Sequence, residues 1–365
     1  MTIPRTAVLS YALGTGHKQV AETLSVELGR LGHHCDHSPL EEWVPWDYDL
    51  LFRRGYVFLV LKAPVLYDIM YRSPFFSRRG VLAFPVMGSR AVRRFEREGL
   101  GDSDLVVVTQ YNAMEIAADW KRASGRDTKL AVIVTDYDIY PLWARPEVDL
   151  FLLPHEDLKA PLVGLGVPES RVLATGMPIG PAFENLKKDG AVRESLGLSE
   201  TSPVAMVFGG GGGWGPMEAA VKACLRAAGW QVIVVCGKNE RLRRRLLRLE
   251  RLRPGRLRVL GYRRDVAQLM AASDVVVTKG GGLSLTEALY SGARTIALSS
   301  LPGQERANLT FMETRGWIEV CRRVNELGGL LERPPEAHAG RRHLPPSPAK
   351  TAALALDALA RGSRP

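Results

Sequence analysis

One stretch, residues 278–292 (TKGGGLSLTEALYSG), restricts the fold more than any other part of the chain. It follows the apolar run 274–277 (DVVV) and leads into Ser284, Leu285, Ala288 and Leu289, which recur at helical spacing. A buried strand, a glycine turn and a helix in that order make one repeating unit of a parallel α/β sheet. Gly280, Gly281 and Gly282 clear side chains from the place where the amides of a helix start can face an anion. Such a terminus favours each negative charge by roughly 0.3–1 kcal/mol. Glu287 stands three residues into the predicted helix. A carboxylate there repels phosphate but accepts hydrogen bonds from a sugar diol. Together these features suggest a nucleotide carrying both ribose and diphosphate. The alternative is an ordinary glycine-rich turn with Glu287 as a capping residue.

The same unit opens the chain. Residues 7–10 (AVLS) read as a buried strand, 14–18 (GTGHK) as the turn, and Val20, Ala21, Leu24, Val26 and Leu28 as a helix. The turn is not G-x-G-x-x-G, and no acidic residue ends a clear second strand about 20 residues on, so a dinucleotide site has little support. His17 lies just past the carboxyl end of the strand, where doubly wound folds place their chemistry. A capping or surface histidine is the alternative. Parallel strands are predicted again at 105–109, 130–135, 149–153 and 172–175, the second running into Asp136 and Asp138. Charged, non-periodic sequence from 184 to 201 reads as a linker.

A second α/β series begins at 204–208 (VAMVF) and meets five consecutive glycines, Gly209 to Gly213. Such a loop can approach a ligand with backbone amides alone. No Gly-Lys-Ser/Thr follows, which argues against P-loop ATP hydrolysis. Strands at 231–237 and 259–262 and a helix at 265–272 precede the opening stretch, and the strand 295–298 follows it. Residues 302–308 (PGQERAN) are predicted as a loop whose polar side chains suit sugar hydroxyls. A last helix, 349–360, is expected to pack back on the first domain. Between 241 and 258 nine arginines and one glutamate alternate with leucines, as in a basic amphipathic helix with a solvated or anion-binding face. No RNA-binding motif accompanies it, so a nucleic-acid partner is not expected.

Composition sets outer limits. A chain of 365 residues that is 46% hydrophobic suits two domains rather than one core. Cys35, Cys224, Cys236 and Cys321 are scattered without ligand spacing, which predicts a reducing compartment and no metal site. No signal peptide and no apolar run near 20 residues is present, pointing to the cytoplasm or the inner face of a membrane. A net charge of +10 attracts nucleic acid or anionic lipid without choosing between them. Residues 41–100 do not fit the α/β repeat. They carry Tyr56, Phe58, Tyr67 and Tyr71 in apolar runs flanked by Arg53, Arg54, Lys62, Arg72, Arg78 and Arg79. Cation-bordered apolar sequence suits a membrane interface, or else an insertion buried on the sheet.

The motifs GTGHK, VTDYD (134–138), TGMPI (175–179), the 209–215 loop, KGGGLSLTEAL (279–289) and PGQERAN occur in one order. That order resembles the monogalactosyldiacylglycerol synthase and processive diacylglycerol glucosyltransferase family, related to the bacterial N-acetylglucosaminyltransferase that makes lipid II. The resemblance runs from about Val8 to about Trp317. It implies an α/β GT-B fold, two Rossmann-like domains with parallel sheets facing across a cleft. The expected division is residues 1–184 with the insertion 41–100, residues 185–345, and a terminal helix in 346–365. By the same resemblance, Glu287 meets the ribose, and Gly281, Gly282 and the Gly210, Gly211, Gly212 and Gly213 loop hold the diphosphate. Tyr262 borders the uracil, and Gln304, Glu305 and Asn308 contact or order the sugar. Gly16, Tyr56, Phe58, Tyr67 and Tyr71 face the acceptor or the membrane.

His17 would be the general base, and Asp136 either orients it or competes for that role. An imidazole, with an unperturbed pKa near 6.5, suits that work. The expected reaction moves a hexose from a UDP-sugar to diacylglycerol or a glycolipid with inversion, without metal or cofactor, by an enzyme held peripherally on the anionic inner face of the cell membrane. A UDP-sugar epimerase, a non-lipid acceptor and a non-catalytic binding protein are the competing readings. The sequence departs from its relatives in the extra glycines at 209–213 and 280–282 and in an arginine- and proline-rich tail.

Overall fold

The computed structural model describes residues 3–11, 15–40, 102–184, 190–298, 303–333 and 344–363, together with isolated positions 58, 63, 66, 93 and 186. The chain divides into two compact units. One comprises Met1–Gly180, Leu301–Gly303 and Pro345–Pro365, the other Pro181–Ser300 and Gln304–Leu344.

In the first unit the described order is β1 (Arg5–Ser10), α1 (Thr15–Arg30), β2 (His34–Pro39), β3 (Leu105–Val108), α2 (Tyr111–Ser124), β4 (Lys129–Ile133), β5 (Leu150–Leu153), α3 (Lys159–Gly164) and β6 (Val172–Ala174). The strands form one sheet in the order β2-β1-β3-β4-β5-β6, every neighbour parallel. β3 and β5 are buried along their whole length, as expected when helices cover both faces of a parallel sheet. β2 escapes apolar-pattern reading because it is a half-exposed edge strand of sequence HCDHSP. Its place comes from the ladder to β1 and from the 3.0 Å contact between Ser10 Oγ and His37 Nε2. α1 buries Val20, Ala21, Leu24 and Leu28, one face at 3.6-residue spacing. Val26 lies off that face and is 54% exposed.

The second unit contains α4 (Gly190–Ser195), β7 (Val204–Phe208), α5 (Met217–Arg226), β8 (Gln231–Val235), α6 (Glu240–Arg251), β9 (Leu257–Leu260), α7 (Val266–Ala271), β10 (Val275–Thr278), α8 (Gly282–Ser291), β11 (Arg294–Leu298), α9 (Gln304–Glu313), β12 (Glu319–Cys321) and α10 (Leu327–Leu331). Its sheet is again parallel, in the order β12-β11-β10-β7-β8-β9. Three expectations are corrected here. The supposed linker contains α4, and Arg193 pins it to this unit by donating to the Ala272 carbonyl at 2.7 Å and to Asp274 at 2.8 Å. The arginine-rich stretch is not one helix. α6 ends at Arg251, while Arg256 turns inward and bonds the carbonyls of Leu225, Ala227 and Trp230. Residues 304–308 begin the helix α9 rather than lying in a loop.

A final helix, α11 (Pro348–Ala360), packs on α1 and β4 of the first unit. Buried His33 links them, its Nδ1 2.8 Å from Thr6 Oγ1 and its Nε2 2.8 Å from Asp357 Oδ1. No described helix is long and apolar enough to cross a membrane.

Candidate functional site

Each sheet has a point where the order of successive strands reverses, one strand leading to the left and the next to the right, and such points leave an opening beyond the carboxyl ends of the strands. In the first unit it lies between β1 and β3, and in the second between β7 and β10. His17 follows β1 at the first of these points, and the loops 209–215 and 279–282 follow β7 and β10 at the second.

His17 is the third residue of α1, the helix that leaves β1. Its Nδ1 lies 2.8 Å from the carbonyl oxygen of Thr109 and 2.9 Å from Thr135 Oγ1. A carbonyl only accepts, so Nδ1 carries the proton and the basic lone pair of the neutral ring is at Nε2. The Thr109 hydroxyl in turn donates to the carbonyl of His17 at 3.1 Å. Thr109 is the first residue past β3 and Thr135 the second past β4, and both are buried. Two adjacent strands therefore fix both the tautomer and the ring direction. Asp136 follows Thr135 directly and is half-buried, and Gly16 is half-buried beside His17.

The helix that follows Thr109, α2, is anchored by an ionic cluster. The Arg145 guanidinium donates to Glu115 at 2.8 Å, Asp119 at 2.9 Å and Glu147 at 3.1 Å. Arg122 also pairs with Asp119 at 2.9 Å and with Glu147 at 3.6 Å, so two cations face three carboxylates, and Glu115 is the one that Arg122 does not reach. Burial pushes the Glu115 carboxyl up to about 7, Asp119 and Glu147 adding to the rise and Arg145 and Tyr111 opposing it. Its Oε1 is buried and has no hydrogen-bond partner among the described residues. A folded-state value above the unfolded one means that the folded protein holds the proton longer. Stability from this group therefore falls as pH rises from the unfolded value, about 4.5, through 7. Glu115→Gln is expected to gain on the wild type by about 2 kcal/mol between pH 5.5 and pH 8. Urea unfolding of both proteins at the two pH values checks this, and a pH-independent difference would refute it.

In the second unit β7 delivers the loop of residues 209–215 and β10 delivers residues 279–282, side by side where the strand order reverses. A methyl group placed on Gly210 would lie 3.7 Å from Ser284 Oγ and 3.9 Å from Lys279 Cε, so the two loops meet. Gly210, Gly213 and Gly215 have φ of 70°, 62° and 100°, the left-handed region. The loop is tied to the end of β8, with Lys238 N–H donating to the Gly211 carbonyl at 2.9 Å and Asn239 Nδ2 to the Gly213 carbonyl at 3.1 Å. The seat of Gly212 is filled by the ring of Trp214, which is 65% exposed.

The glycine that precedes α8, Gly281, is its N-cap, and the helix starts at Gly282. Glu287 consequently sits a turn and a half inside, 3% exposed, and is not a capping residue. Buried Asn308 of α9 donates to the Gly280 carbonyl at 3.1 Å. Glu305, beside Gln304 in the first turn of α9, pairs with Lys279. Tyr262 follows β9 and is 58% exposed, with Lys238 Nζ 6.0 Å from its ring centre. Of the residues expected at the acceptor or membrane, Phe58 is exposed, while Tyr56, Tyr67 and Tyr71 lie outside the described residues.

Sequence reading passed over Thr109, Thr135 and Lys279 as site residues. Each is a polar residue closing or directly following an apolar strand, a signal visible only once strand ends are known. No group of three or more metal-ligating side chains occurs among the described residues.

Comparisons with known proteins bear on the fold and on the family resemblance. Residues 17–179 match the monogalactosyldiacylglycerol (MGDG) synthase family, and residues 204–306 match the glycosyltransferase family 28 C-terminal domain. The chain is 29% identical over 336 residues to the processive diacylglycerol beta-glucosyltransferase of Bacillus subtilis, covering 89% of this chain and 85% of that protein. The corresponding Bacillus pumilus protein is 28% identical, with 88% and 84% covered. Among solved structures, MurG of Acinetobacter baumannii superposes with a TM-score of 0.61 at 16% identity, over 97% of this chain and 99% of that one. HepE of Anabaena, solved with UDP-glucose, gives 0.54 at 13% identity over 98% of each. These likenesses give both units the GT-B fold.

Proposed function

Because residues 17–179 match the monogalactosyldiacylglycerol synthase family and residues 204–306 the glycosyltransferase family 28 C-terminal domain, we propose that the chain moves a hexose from a UDP-sugar onto diacylglycerol or a glycosylated diacylglycerol. The observation that carries the chemistry is the imidazole of His17, whose Nδ1–H is committed to the Thr109 carbonyl and whose Nε2 is thereby the basic atom. The acceptor hydroxyl oxygen attacks the anomeric carbon of the hexose, and His17 Nε2 takes the hydroxyl proton as the new C–O bond forms. The bond from that carbon to the β-phosphate oxygen breaks, and UDP leaves with the electron pair. Attack from the side opposite the diphosphate inverts the anomeric centre. Asp136 is assigned to stabilise the imidazolium that forms.

The leaving diphosphate gains its stabilisation from backbone amides of residues 210–213 and of the α8 start, with no need for a metal ion. Glu287 accepts from the ribose hydroxyls, Tyr262 borders the base, and Gln304, Glu305 and Asn308 contact or order the sugar. The Bacillus relatives are named for glucose, so UDP-glucose is the expected first donor. A net charge of +10 supports peripheral attachment to an anionic membrane surface.

The test is incubation of the full chain with diacylglycerol-containing anionic vesicles and UDP-glucose, UDP-galactose or UDP-N-acetylglucosamine in the presence of a chelator. UDP release together with a glycosyl-diacylglycerol mass is expected for at least one donor. Release of UDP from none of them would end the proposal. Turnover of the sugar nucleotide without acceptor would favour an epimerase instead.

A further inference from the structure

Lys279 occupies the first position beyond β10, a central strand of the second sheet. Its side chain runs across both glycine loops. A methyl group on Gly281 would lie 3.3 Å from its Nζ, and one on Gly210 would lie 3.9 Å from its Cε. The bare glycines thus leave the channel in which this ammonium lies. It lies beside the first turn of α8, where amide N–H groups make the potential positive. A cation is poorly placed there unless an anion accompanies it. Glu305 is that anion, paired with Lys279, and both side chains are largely buried at 24% and 18% exposure.

The geometry of the pair is set from both sides. Asn308, one turn along α9 from Glu305, donates to the Gly280 carbonyl and so holds α9 against the 279–281 turn. Glu305 itself stands in the first turn of α9, where a carboxylate is favoured even without a lysine partner. Lys279, by contrast, has an unfavourable site without a counter-ion. The two members of the pair are therefore unequally dependent on one another. A ligand with more negative charge than one carboxylate would draw Lys279 away and leave Glu305 stable.

We propose that Lys279 is a phosphate-binding residue of the donor site held in reserve by Glu305, and that a bound nucleoside diphosphate takes the ammonium over and frees the Glu305 carboxylate to accept from the hydroxyls of the sugar. The inference rests on the reading of the two glycine loops as the site of the nucleotide-sugar. It adds an order of events to that reading. The diphosphate engages first, and only then does the sugar-facing carboxylate become available, which ties recognition of the sugar to prior recognition of the phosphates.

Calorimetric titration of the full chain with UDP, UMP and uridine tests the exchange. Lys279→Met is expected to weaken UDP by about 10- to 100-fold and UMP by much less, with uridine unchanged. Glu305→Gln leaves the lysine uncommitted and is expected to tighten UDP by about 3- to 10-fold. The double variant should bind UDP as Lys279→Met does, because the gain from Glu305→Gln requires the lysine. Lys279→Arg should retain most of the UDP affinity, which separates a charge role from a packing one. Unchanged or weaker UDP binding by Glu305→Gln, or equal losses for UDP and UMP in Lys279→Met, would overturn the exchange while leaving the donor site intact. Failure of the wild type to bind UDP at all would overturn both.

Discussion

Replacing His17 with alanine is expected to lower kcat by about 10²- to 10⁴-fold while KM for the UDP-sugar stays within about twofold. The imidazole is assigned to proton removal from the acceptor, not to the donor, so only the chemical step should suffer. Thr135→Val offers a graded companion. It removes the hydroxyl 2.9 Å from Nδ1 and keeps the Thr109 carbonyl at 2.8 Å. The tautomer is then still specified, and a loss on the order of 10-fold is expected. Steady-state kinetics with vesicle-borne acceptor measures all of these. A His17→Ala enzyme with wild-type kcat would remove the histidine from the mechanism.

The second large effect concerns Gly213. Its φ of 62° lies in the left-handed region, and a Cβ there would sit 2.1 Å from the Cys236 carbonyl oxygen and 2.9 Å from Asn239 Cβ. The first of these is backbone and has little freedom to retreat. Gly213→Ala must therefore displace the loop, at a cost of about 2–4 kcal/mol from left-handed strain and overpacking together. Displacement carries Gly210 and Gly211 with it, so UDP affinity should fall by more than about 100-fold if the amides of these residues cradle the diphosphate. Gly229→Ala is the matched control. Its φ is 77°, but nothing lies within 4 Å of the added carbon, so it should cost about 1 kcal/mol and leave UDP binding unaltered. Thermal melting and UDP titration of the two variants separate a loop-specific effect from general glycine strain. Equal UDP affinity in both would count against the amide cradle.

These expectations also mark what could be read from sequence. Apolar runs such as LVVV at 105–108 and LFLL at 150–153 are buried on both faces, so composition alone identifies them as interior parallel strands. Of the four edge strands, β6 and β9 are legible in the sequence and the other two are not. β2 and β12 carry mixed or charged residues because only one side pairs with a neighbour, and they enter the sheet through the ladder rather than the pattern. Residues 302–308 were expected as a loop from their polarity, yet a polar first turn is also how a helix begins, as α9 does at Gln304. The arginine-rich stretch misled in a related way. Arg256 is used inside the fold as a donor to three carbonyls, a role that charge counting does not distinguish from solvation.

The chain's letters alone determined the repeated strand–glycine–helix units, the two glycine loops, the isolated histidine behind the first strand and the family these motifs resemble. Those features depend on neighbours a few residues away, and local periodicity records them. Only the folded chain decided which atoms hold them. Thr109 and Thr135 reach His17 from 92 and 118 residues away, and Glu305 reaches Lys279 from 26 away. Such partners are chosen by the order in which parallel strands stack, and that order is a property of long-range hydrogen-bonded pairing that no short stretch of sequence contains.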